Sequence, residues 1–130
     1  MPPSARARKP PLVAFGEARH LVFAAIALAE KGLEKNPSTD EERTLNQTLN
    51  DLELQRAALQ AKIDALIQQT RHIPGPTAKQ VAEVSQLTQE VEAVTDASLT
   101  ASRAVTLTSR TLALATEVAG GVSPAPPAVG

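Results

Sequence analysis

From Leu45 to Leu66 the large apolar residues fall at alternating intervals of four and three. Leu45, Leu49, Leu52, Leu59, Ile63 and Leu66 mark the series, and Arg56 takes the remaining place. That spacing is the seam of a coiled-coil helix, because it keeps one stripe of side chains turned toward one neighbour. A second series follows. Val84, Val91, Ser98, Val105, Leu112 and Ala119 recur every seven residues, and Leu87, Val94, Ala101, Thr108 and Ala115 fill the other heptad position. Pro74-Gly75-Pro76 separates the two series and cannot continue a helix. The pattern predicts helices over about residues 40–72 and 77–119, roughly 50 and 65 Å long at 1.5 Å per residue. A connection this short is expected to make them antiparallel neighbours.

Capping chemistry fixes where these helices start. Ser38 with Glu41, Thr39 with Glu42, and Thr77 with Gln80 each have the spacing of a capping box. Asp40, Glu41 and Glu42 also place negative charge at the positive end of the helix dipole. Ahead of them, Asn36-Pro37 closes a third helix, predicted over about residues 12–35, since a residue before proline avoids the α region. Residues 1–11 read as a disordered basic, proline-rich arm carrying Arg6, Arg8 and Lys9. Residues 120–130, rich in glycine, proline and alanine, read as a disordered tail. The expected fold is therefore all-α. It is a three-helix bundle over residues 12–119, with a long antiparallel coiled-coil-like hairpin, and it is expected to form oligomers.

Two features point toward a contact surface. From Leu21 to Ala29 no polar residue interrupts the chain, so this helix lacks the polar face a surface helix should have. A three-helix bundle buries about half of each helix, leaving Leu21, Val22, Phe23 and Ile26 as candidates for a subunit or partner interface. The end of the longest helix is expected to overhang its hairpin partner, which adds Leu112, Leu114 and Val118 to the same set. Arg56 is expected level with Glu92 and Asp96 across the hairpin. There it either forms a register-setting ion pair or lays its stem along the seam and reaches water.

Composition argues against catalysis and nucleic-acid binding. The chain has two Phe, no Tyr, no Trp and no Cys, and its net charge is −1. Pocket walls and base-stacking platforms draw on aromatic residues, and a near-neutral chain lacks the field that recruits nucleic acid. Disulfides and thiolate metal sites are excluded. Glu17 and His20 share the Glu-x-x-His spacing of di-iron bundles, which leaves a metal-binding bundle as a minor alternative. The run from Leu21 to Ala29 is about half the length that spans a bilayer. With Glu17 ahead of it, no cleaved signal is expected. The chain resembles bacterial helical accessory proteins only in a general way, and no motif names a family.

The functional expectation is a cytoplasmic, non-enzymatic interaction protein without a cofactor. It would act as a scaffold, adaptor or accessory chaperone that associates with itself and presents helical surface to another protein. The alternative is an amphipathic protein that lies on a membrane or hydrophobic particle.

Overall fold

A computed structural model describes residues 10–68 and 73–120. Four helices and no strand occur among them: α1 (Pro11–Gly32), α2 (Thr39–Gln68), α3 (Ala78–Ala93) and α4 (Ala101–Gly120). The expected arm and tail lie outside the described residues, apart from Pro10, Pro11 and Gly120, and so do residues 69–72 at the expected end of the second helix. Pro11 opens α1, where its fixed φ suits the first helical position and its missing N–H costs nothing. The helix ends at Gly32, and Asn36 adopts a left-handed backbone (φ 53°) just before Pro37. At the entry to α2, the Ser38 hydroxyl accepts from Glu41 N–H at 3.1 Å and the Glu41 carboxylate accepts from Ser38 N–H at 2.9 Å. Thr77 and Gln80 make the same reciprocal pair at the start of α3.

The helix expected over 77–119 is two helices, so the bundle has four helices and not three. The break runs from Val94, whose backbone is extended, to Thr100. Its cause is local hydroxyl chemistry. Thr95 N–H donates to Ser98 Oγ and Ser98 N–H donates to Thr95 Oγ1, each at 3.1 Å, giving the backbone an alternative to the helical ladder. Thr100 then caps α4, its hydroxyl accepting from Arg103 N–H at 3.0 Å. Leu99 is buried and pins the turn to the core. The expected seam is kept in part beyond the break. Ala101, Thr108, Ala115 and Ala119 are buried as expected, but Val105 and Leu112 are only half-buried, and Ala104, Leu107, Thr111, Leu114 and Val118 also face inward.

The expected hairpin is corrected as well. α2 packs against α1 and α4, and α3 packs against α1 and α4, whereas α2 and α3 scarcely touch. Arg19 hydrogen-bonds Gln60 near one end and Gly32 meets Leu45 near the other, so α1 and α2 are antiparallel. Gly75 lies against Pro11, His20 against Glu92 and Lys35 against Asp96, so α3 runs parallel to α1. Around the bundle the order is α1, α2, α4, α3, with α1 and α4 in contact across the middle. The Pro-Gly-Pro corner is thus a crossover: it carries the chain from one flank to the other over the start of α1, and buried Ile73 holds it down.

The reason α4 displaces α3 from the side of α2 is its wider apolar face. α3 buries only Val84, Leu87 and Val91. α4 buries nine residues, several of them Ala or Thr, whose small side chains let it reach the middle. Phe15, Leu21, Leu45, Leu52, Leu59 and Leu107 form the fully buried centre. Thr108 and Thr111 are buried there too, and each satisfies its hydroxyl by donating to the carbonyl one turn back, at 2.6 and 2.9 Å.

Candidate interaction surface

Because α1 touches three helices, little more than one side of it meets water. Helical spacing places Leu12, Gly16, Arg19, Phe23, Ala27 and Glu30 along that side, with Val13 and His20 beside them. Leu12, Val13 and Phe23 are 44, 47 and 49 % exposed. Phe23 is held in place: the Arg56 guanidinium lies over its ring, 5.4 Å from the centroid.

Next to this strip, α1 and α3 leave a groove of about 430 Å³. Its α1 wall is Val13, Gly16, Glu17 and His20. The opening follows from the sequence, since Gly16 has no side chain to close it and nothing lies within 4 Å of where one would project. The α3 wall includes Ser85 and Thr88, and the Thr88 hydroxyl is turned inward to donate to the Val84 carbonyl at 2.6 Å. At the far end His20 Nε2 and Glu92 Oε2 are 2.8 Å apart, both side chains more than half exposed. A surface pair of this kind adds little stability but fixes the depth of the groove at that end. Glu17 and His20, the pair singled out for metal, both line it. Among the described residues no three His, Asp or Glu side chains form a cluster that could hold an ion.

A second groove, about 320 Å³, lies between α3 and α4. Arg110 there donates two hydrogen bonds to the Glu90 carboxylate, at 2.8 and 3.3 Å. That contact holds the Glu90 carboxyl below the ordinary glutamate range and raises Arg110.

Of the residues expected at an interface, Leu21, Val22, Ile26, Leu114 and Val118 are buried in the core of their own chain, and Leu112 is half-buried against it. The overhang that was to expose the last three does not exist, because α4 folds back along α1 and α2. Phe23 is the member of the set that stays exposed. Arg56, Glu92 and Asp96 do not meet. Arg56 bonds Glu53 at 2.9 Å, Glu92 takes His20, and Asp96 takes Lys35. Arg56 therefore runs along the seam to the surface rather than setting its register. Sequence reasoning missed Leu12, Val13 and Gly16. The signal was available, since Gly16 and Phe23 stand seven residues apart, on one face.

By length and composition α1 as a whole is long and apolar enough to cross a membrane, although the shorter run inside it is not. In this fold it is the central helix. Comparison with protein-family models, with curated proteins and with solved structures finds no match to this chain.

Proposed function

We propose that this protein is a non-enzymatic helical interaction module: a scaffold, adaptor or accessory chaperone that associates with itself and presents helical surface to a protein partner. The observation that carries the reading is the exposed apolar side of α1. Leu12 and Val13 stand at its start and Phe23 about three turns further on, each at close to half exposure, and Arg56 lies over the Phe23 ring. Apolar groups grouped on one face and set beside a groove mark contact surfaces more often than scattered ones do. Aromatic anchors with few free torsions are the side chains that dominate such contacts. A role in the cytoplasm fits this reading.

Light scattering of the parent and of Phe23→Ser tests it. The expected result is a smaller species for the variant. Ile26, expected beside Phe23 in the interface set, is buried, so its substitution would report on the core instead. An unchanged mass would remove α1 from any self-association.

A second reading rests on α1 alone. Its length and composition suit a bilayer, so the bundle could open and lay this helix on a membrane or hydrophobic particle. Co-sedimentation with anionic and neutral vesicles separates the two, since a protein-binding module stays in the supernatant with both.

A further inference from the structure

We infer that α3 is a strap, which opens and recloses as a unit while α1, α2 and α4 stay packed as a three-helix core. α1, α2 and α4 each pack against the other two, so their triangle is closed without α3. The most deeply buried side chains, Phe15, Leu45, Leu59 and Leu107 among them, all come from these three helices. α3 lies outside the triangle, against α1 and α4, and buries only Val84, Leu87 and Val91 of its 16 residues. Both grooves described above flank it, one on the α1 side and one on the α4 side. Its packing is therefore open along both edges. The polar ties across those edges, His20 to Glu92 and Arg110 to Glu90, sit at the surface, where such pairs add little.

Melting of a helix spreads along its continuous hydrogen-bond ladder, and α3 has no such ladder into either neighbour. Pro74 and Pro76 lack the N–H groups that would extend one backward. At the other end the reciprocal Thr95–Ser98 bonds interrupt it, and α4 starts afresh on its own Thr100 cap. Just beyond each end of α3 one apolar side chain is buried, Ile73 before it and Leu99 after it. These two pins keep the strap in register, so it closes onto the place it left. Opening uncovers the side of α1 that carries Val13, Glu17 and His20, and the side of α4 that carries Leu114. Val13 also borders the exposed apolar side of α1, so opening enlarges the surface on which Leu12 and Phe23 stand.

The chain contains no cysteine, so single thiols can report each position in the full-length protein. Val84→Cys and Val91→Cys place one on the buried side of α3, and Val22→Cys places one in the core. Each labelling rate with a water-soluble thiol reagent, divided by that of the same variant unfolded, gives the fraction of time the position is open. Both α3 thiols should be open about tenfold more often than the core thiol, or more, since local openings cost less than global unfolding. Amide exchange of the parent chain reads the same event without any substitution, and it decides the matter where a substitution has itself loosened the fold. Residues 82–93 should exchange faster than the buried middles of α1, α2 and α4. Uniform exchange across the four helices would overturn the strap, because α3 would then open only with the whole bundle. Fast exchange and labelling near Val84, with Val91 as protected as the core, would overturn it too, since that is fraying of one end.

Discussion

Gly32 and Ala104 are in such close contact that a methyl group on the glycine would lie 2.5 Å from the alanine Cβ. This is where α1 crosses α4, with Leu45 of α2 also at hand. In most helices glycine is a weak point and alanine an improvement. Here the neighbour is a short, buried side chain that cannot swing aside, so Gly32→Ala should destabilise the bundle by about 1–3 kcal/mol through overpacking. Chemical denaturation should show the lower midpoint.

Gly16 predicts the opposite sign for the same substitution. It is helical, and nothing lies within 4 Å of a Cβ placed there. Gly16→Ala should stabilise the fold by about 0.5–1 kcal/mol, chiefly by restricting the unfolded chain. A melting temperature unchanged or lowered would mean that the groove beside Gly16 is closed in solution.

The contrast between these glycines shows what the sequence can express. Its periodicity reports which residues want burial, and Leu45, Leu52, Leu59 and Ile63 are buried as their spacing implies. It does not report how many neighbours a helix will have. Leu21, Val22 and Ile26 looked surplus for a helix with two neighbours, but α1 has three, and they are core. The missed break at Val94–Thr100 has a similar origin. A heptad count registers Ser98 as one weak position, whereas the Thr95–Ser98 hydrogen bonds and the Thr100 cap are a competing structure that periodicity cannot weigh. Once the helix breaks there, the hairpin turn at Pro74-Gly75-Pro76 becomes a crossover. The open space at Gly16 stayed hidden for a related reason: a glycine reads as an absence until its surroundings are seen.

The α3 cap should be the softest point of the bundle. Thr77 closes a full capping box, and α3 otherwise rests on three buried side chains. Thr77→Ala should cost about 1 kcal/mol. The loss should appear first as faster amide exchange over residues 78–84, with α1 and α2 protected as before. Uniformly faster exchange would show that α3 opens only with the whole bundle.

Acid should loosen the tie between α3 and α4. Glu90 has its carboxyl lowered in the folded state, mainly by its hydrogen bonds to Arg110, with Arg103 adding to the effect. A group whose folded value lies below its unfolded one favours folding above the unfolded value, near 4.3 for glutamate. That contribution is lost as the pH falls through the folded value. Denaturation midpoints should therefore be insensitive to this pair near neutrality and fall below about pH 4.3. In Arg110→Gln the carboxyl returns toward its ordinary value, and the acid-induced loss should shrink. The exposed position keeps the effect small, so parent and variant need to be compared at matched ionic strength. If their midpoints fall in parallel with acid, the Glu90–Arg110 contact does not persist in solution.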